Sequence, residues 1–220
     1  MLNLGVLISG RGSNLRALID ACAQPGFPAK ISCVIANNGS AKGLDYAKDA
    51  SIPAFVIPHK DFASRQAFEE ALDATMEKHD VQLVCLAGFM RLLTAWFTER
   101  WRDRLVNIHP SLLPAFPGVD VHQKVLDYGA KVTGCTVHFV RAEMDHGPII
   151  LQAVVPVLDN DTEEVLAARV LEAEHKAYPS AVRLIAEGCV NVFNERTFIA
   201  KTDDGAGIAL FSPPLFSDRP

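Results

Sequence analysis

Short apolar runs alternate with helix-patterned segments through the first half of this chain, and few folds accept that alternation. Leu4 to Ile8 is apolar and stops at Ser9-Gly10-Arg11-Gly12-Ser13; a helical pattern then begins near Asn14, with Leu15, Leu18 and Ile19 on one face. Ile31 to Ala36, Ala54 to Ile57, Leu83 to Leu86 and Leu105 to Ile108 read as further strands. Helices are expected over 42–50, from an N-cap at Ser64 to about His79 with Phe68, Leu72 and Thr75-Met76 inward, and near 94–101. Strands joined through helices run parallel. The expected class is therefore α/β: a Rossmann-like open, mostly parallel twisted sheet with helices on both faces.

The pattern changes later. Thr133 to Val140 and Ile149 to Val157 alternate as strands with only Met144 to Pro148 between them, which predicts an antiparallel pair added to the parallel sheet. Asp161 is the expected cap of a helix reaching about Glu187, with Glu164 folding back as in a capping box and Pro179 kinking or splitting it. A small terminal hairpin is expected within 190–210, and the last ten residues are expected to be loose.

The 220 residues suit a single domain: 1–110 as a phosphate- and nucleotide-binding half, 111–190 as a catalytic half, and 190–220 as hairpin and tail. The net charge of −5 comes without a basic cluster, so nucleic acid is not an expected partner. No leader and no membrane-length apolar run is evident, and Cys22, Cys33, Cys85, Cys135 and Cys189 are scattered among apolar neighbours; reduced thiols and a cytoplasmic location are expected. No HxxxH or HExxH pattern occurs, so no metal is expected. His59, His79, His122 and His175 read as surface or structural residues.

Four segments carry chemistry. In Asn107-Ile108-His109-Pro110-Ser111-Leu112-Leu113-Pro114, Asn107 and His109 sit two apart on a strand and share a face, at a carboxyl end where α/β sheets bind ligands. An amide can donate to a developing oxyanion while an imidazole carries a proton. Ser9 to Asn14 can cradle a phosphate with backbone N–H groups at a helix start. Its GxGxxG fingerprint is incomplete, with Leu15 at the third glycine and Asn37-Asn38 where an acidic ribose ligand would stand. A monophosphate is thus favoured over NAD, and an ordinary βα turn is the alternative. Leu86 to Leu93 surrounds Arg91 with apolar groups, suiting either a pocket for a flat ring system or plain core packing. Asp145-His146-Gly147-Pro148 is either turn chemistry or the carboxylate that orients His109 or moves its proton. His138 reads as a buried supporting group rather than a catalyst.

Together with Gly134-x-Thr136-Val137-His138, these segments occur in the order of the phosphoribosylglycinamide formyltransferase family, which the chain resembles over about residues 1–190. The resemblance implies Asn107, His109 and Asp145 as catalytic trio. It implies Gly12, Ser13 and Asn14 at the substrate phosphate, with Glu174 at that substrate's other end. It implies a folate pocket using Arg65, Met90, Arg91, Leu93 and the chain at Val140, Arg141 and Glu143. The implied reaction moves a formyl group from 10-formyltetrahydrofolate to the amine of glycinamide ribonucleotide, in purine synthesis, without a metal. Both partners are small molecules, and the protein is a monomer or a homodimer. Two positions depart from the family: Ala115, often basic, and Asp120, where histidine can occur.

Rival readings are a formyltetrahydrofolate hydrolase, methionyl-tRNA formyltransferase, a Rossmann dehydrogenase, and a non-catalytic nucleotide- or folate-binding protein on the same scaffold. A first strand at Leu4, with no regulatory domain before it, is expected of the transferase rather than the hydrolase; an acidic chain ending at 220 disfavours the tRNA enzyme. Dehydrogenase chemistry lacks its acidic residue and third glycine. Mere binding does not require Asn107, His109 and Asp145 together.

Overall fold

A computed structural model describes residues 1–200. Seven strands form one sheet: β1 (Leu2–Ile8), β2 (Ala29–Ala36), β3 (Ala54–Val56), β4 (Leu83–Leu86), β5 (Leu105–His109), β6 (Val132–Phe139) and β7 (Ile149–Pro156). Their order is β3-β2-β1-β4-β5-β6-β7. The first five are parallel; β6 lies antiparallel on β5 and β7 antiparallel on β6, as the sequence predicts. The helices are α1 (Ser13–Cys22), α2 (Gly43–Asp49), α3 (Arg65–Lys78), α4 (Ala95–Arg100), α5 (Val121–Tyr128) and α6 (Glu163–Ala186). A two-stranded hairpin follows, β8 (Val190–Phe193) and β9 (Arg196–Ile199), at the start of the segment expected to form one. The expected loose tail lies outside the described residues.

The period-2 geometry of the strands sorts the apolar residues into two cores. Leu4, Val6 and Ile8 of β1, Leu83 and Cys85 of β4, and Val106 and Ile108 of β5 face α1, α5 and α6. Leu7, Val84, Leu86 and Leu105, one step out of phase, face Phe68, Leu72 and Met76 of α3 and Phe97 of α4. Both faces of the parallel strands are therefore buried, which is why these runs are almost continuously apolar.

Tyr178 ties the centre together. It is fully buried, and its hydroxyl lies 3.0 Å from the carbonyl of Leu86 and 3.2 Å from that of Val106, bridging the neighbouring strands β4 and β5. Removing a buried donor strands its acceptors, so Tyr178→Phe is expected to lower unfolding stability by about 1–3 kcal/mol. Urea titration followed by circular dichroism measures it, and an unchanged midpoint would refute the bridge.

One local expectation needs correction, one of two alternatives for Pro179 is removed, and one helix was not anticipated. Thr162, not Asp161, caps α6, its hydroxyl accepting from Val165 N; Asp161 instead pairs with both terminal nitrogens of Arg169 at 2.6 and 2.7 Å and accepts from Leu158 N. An arginine two turns along outcompetes the helix end for that carboxylate. Pro179 does not split α6, which runs unbroken from Glu163 to Ala186. The buried residues on either side, Tyr178, Ala181 and Val182, hold the helix against the core across the missing amide. Finally, the stretch before β6 contains α5, which was not anticipated. Val121 and Val125 are its buried residues and Gly129, at φ 73°, ends it; that spacing and that glycine were the available signals.

Candidate active site

The strand order reverses between β1 and β4, the position at which open α/β sheets bind ligands beyond the carboxyl ends of their strands. The residues singled out in the sequence gather along this edge. Asn107 and His109 end β5, on the face opposite Val106 and Ile108. The antiparallel register places His138 across from Asn107 and Thr136 across from His109, so the alternation of Thr136 and His138 on β6 matches that of the two functional residues.

Each partner has a definable role. Burial pushes the His138 imidazole below its ordinary pKa. The neutral ring, with Nδ1–H donating to the Phe139 carbonyl at 3.0 Å, leaves Nε2 as acceptor for the Asn107 amide at 3.4 Å. One hydrogen of that amide is thereby oriented and the other left for a ligand. His109 is buried and faces an acceptor on each nitrogen: Nδ1 lies 3.4 Å from Asp145 Oδ1 and Nε2 lies 3.0 Å from the Phe116 carbonyl. Asp145 sits in the β6–β7 turn in the left-handed region, φ 55°, and its other oxygen accepts from Gly118 N at 2.6 Å. The Phe116 carbonyl thus engages Nε2, while the Asp145 carboxylate stands at ion-pair distance from Nδ1.

The loop after β5 is clasped from below. Thr136 Oγ1 donates to the Ser111 carbonyl at 2.7 Å and accepts from Leu113 N, and Gln152 of β7 donates to the Leu113 carbonyl at 2.9 Å. Ser111 gives its own proton to the Ala115 carbonyl at 2.6 Å, so its hydroxyl is a loop tie with no base beside it. Sequence reasoning missed the Phe116 carbonyl, Gly118 N and Gln152. Backbone groups have no residue signature, and the role of Gln152 follows from its register opposite Thr136. Ala115 and Asp120, the two departures, are exposed; Asp120 stands before α5 at φ 56° without capping it through its side chain.

The glycine-rich turn opens α1. Gly12 is in the left-handed region at φ 75°, and a Cβ there would stand 2.5 Å from the Gly43 Cα. Only glycine allows the two turns to approach this closely. Asn14 and Glu174 meet, the amide donating to the carboxylate at 2.7 Å across 160 residues of chain. This pair therefore draws on both expected halves of the chain. Ser9 Oγ accepts from Met90 N at 2.8 Å, joining this turn to the segment after β4.

Burial raises the Glu174 carboxyl above its ordinary pKa, and the Asn14 bond only partly opposes this. A raised carboxyl costs nothing below the unfolded value, about 4.5, and its penalty is complete once pH exceeds the folded value. Glu174→Gln is thus expected to melt higher than the parent at pH 7–8, with the gap closing as pH falls to the usual carboxylate range. Differential scanning fluorimetry across pH checks this, and a lower melting temperature at every pH would refute it.

The remaining predicted residues differ in exposure and partners. Met90 is largely exposed, Arg91 and Leu93 are half-buried, and Arg65 and Glu143 are exposed. Val140 N bonds the Leu105 carbonyl at 2.9 Å. The guanidinium of Arg141 is not free: it pairs with Asp103 and Glu195, each at 2.6 Å. Among the described residues no group of three or more His, Cys, Asp or Glu side chains could hold a metal, and no helix is long and apolar enough to cross a membrane.

Residues 2–182 match the formyl transferase family. The trifunctional purine biosynthetic protein adenosine-3 of Bos taurus is 49% identical over 91% of this chain, although the chain spans only 20% of that protein's length. The phosphoribosylglycinamide formyltransferase of Haemophilus influenzae is 43% identical, with 86% of this chain aligned to 89% of it. The crystal structure of glycinamide ribonucleotide transformylase 1 from Symbiobacterium toebii superimposes with a TM-score of 0.89 at 46% identity, covering 91% of this chain and 95% of that one. The fold, the match along nearly the whole described chain and the two relatives matched over most of their length agree: the chain belongs to the formyl transferase family, within its phosphoribosylglycinamide formyltransferases.

Proposed function

We propose that this protein transfers the formyl group of 10-formyltetrahydrofolate to the primary amine of glycinamide ribonucleotide. The observation that carries the reading is the approach of Asp145 to His109 at the end of β5, with Asn107 oriented by His138 two residues before it; the Asn14–Glu174 pair adds a buried polar contact at the start of α1. Gly12, Ser13 and Asn14 would hold the ribonucleotide phosphate by backbone N–H groups and the dipole of α1. Glu174 would take the opposite end of that substrate. Met90, Arg91 and Leu93, with Arg65 and the Val140–Glu143 turn at the rim, suit a flat, partly polar ring system. The free thiols support a cytoplasmic setting.

The amine attacks the formyl carbon, forming a C–N bond and an anionic oxygen. The free N–H of Asn107 stabilises that oxygen, and so does His109 once its Nε2–H exchanges the Phe116 carbonyl for it. Asp145 holds the imidazolium and relays the proton lost by the amine to N10 of the departing folate, whose C–N10 bond breaks. No covalent enzyme intermediate is involved, consistent with the committed hydroxyl of Ser111. Truncating Asn107 to Ala is expected to lower kcat about 10²–10³-fold, the usual loss for one oxyanion donor, with both KM values nearly unchanged.

The deciding experiment follows deformylation of a 10-formylfolate analogue by absorbance, with and without glycinamide ribonucleotide. Release that requires the nucleotide supports the transferase. Equal release without it would make water the acceptor, and no release in either case would leave a binding protein.

A further inference from the structure

Glu195 sits where a glutamate is out of place. Asn194 and Glu195 form the two-residue turn between β8 and β9, and both are left-handed, at φ 48° and 56°. Such turns favour Asn followed by Gly, and a residue with a Cβ in the second position carries backbone strain. The strained position aims a carboxylate at the amino end of β5, where Arg102 precedes the strand and Arg141 follows its antiparallel partner β6. Glu195 Oε2 accepts from Arg141 Nε at 2.6 Å, and Oε1 pairs with Arg102. Arg141 also holds Asp103 at 2.6 Å, and its side chain is mostly buried by these contacts. The hairpin is fastened a second time where Thr197 Oγ1 donates to the Ile149 carbonyl at the start of β7.

Arg141 opens the turn that carries Asp145. That turn is closed at its base by Phe139 N to the Pro148 carbonyl, 2.9 Å, and at Gly147, whose φ of 130° and approach to the Phe139 carbonyl exclude a side chain. Between those ends it is anchored by Val140 N on the Leu105 carbonyl, by the contacts of Asp145 with Gly118 N and His109, and by the Arg141 pairs. We infer that Glu195 is a positioning residue: through Arg141 the terminal hairpin sets the 140–147 turn that lines the formyl-donor side of the site and presents Asp145. Glu195 lies beyond the family match, which ends at residue 182. The inference rests on the proposed formyl transfer for its kinetic consequence, but not for its structural one.

Glu195→Gly separates positioning from folding, because glycine relieves the turn while deleting the carboxylate. Its melting temperature is expected to equal or exceed that of the parent. The KM for the formyl donor is expected to rise about fivefold, in line with loss of a networked Arg–carboxylate link. The KM for glycinamide ribonucleotide should stay unchanged, and amides 141–147 should exchange hydrogen faster. Glu195→Gln, which keeps an acceptor for Arg141, should fall between. Unchanged donor KM, or unchanged exchange at 141–147, overturns the inference. If the parent transfers no formyl group, the proposed function fails, and the exchange rates still decide the positioning role.

Discussion

Asp145→Asn is expected to lower kcat about 10³-fold while leaving both KM values within threefold of the parent, the loss reported by steady-state formyl transfer at saturating substrates. The geometry dictates this. Asp145 uses one oxygen on Gly118 N and the other on His109 Nδ1. An asparagine that keeps the Gly118 bond through its carbonyl must turn its NH₂ toward His109. Nδ1 then becomes an acceptor, Nε2–H stays on the Phe116 carbonyl, and the ring is held neutral. A neutral ring in that tautomer gives the oxyanion less and has no carboxylate to receive the amine's proton, the same logic by which a triad loses activity when its aspartate becomes an amide. Volume and burial hardly change, so binding should survive. A loss smaller than tenfold would remove Asp145 from the proton path.

Gly134→Ala is expected to destabilise the fold by more than 3 kcal/mol, in the exceptional range for one substitution. A Cβ at Gly134 would lie 1.8 Å from the Ala153 carbonyl oxygen and 2.9 Å from its carbon. Those atoms belong to β7, the antiparallel partner of β6, with Gly134 paired to Val154 and Cys135 to Ala153. Backbone cannot rotate away as a side chain can, so β6 and β7 would have to part. They also carry Thr136 and Gln152, which clasp the loop after His109. Chemical denaturation should show the loss, and activity of any folded fraction should fall with it. A midpoint within 1 kcal/mol of the parent would mean that the strands do not approach this closely.

These two predictions draw on different kinds of legibility. The strands and their two-sided burial were readable because they depend on local periodicity: Leu4, Val6 and Ile8 against Leu7 is a pattern any short window contains. The pairing of Asn107 with His109 followed from the same two-residue step. Helix ends were read less well where a long side chain chose a tertiary partner over a local one, as Asp161 did with Arg169. Arg141, expected at the folate pocket, is similarly engaged by Asp103 and by a hairpin 54 residues away.

The sequence by itself determined the α/β class, the glycine-rich turn before α1, and which residue types stand at the ends of which strands, because steric and periodic rules act over a few residues. Tertiary structure decided that Asp145 meets His109, that Glu174 meets Asn14, that the Phe116 carbonyl occupies a ring nitrogen and that Glu195 holds Arg141. Each of those contacts depends on strand register and on loops closing over many residues, and no local spacing encodes either.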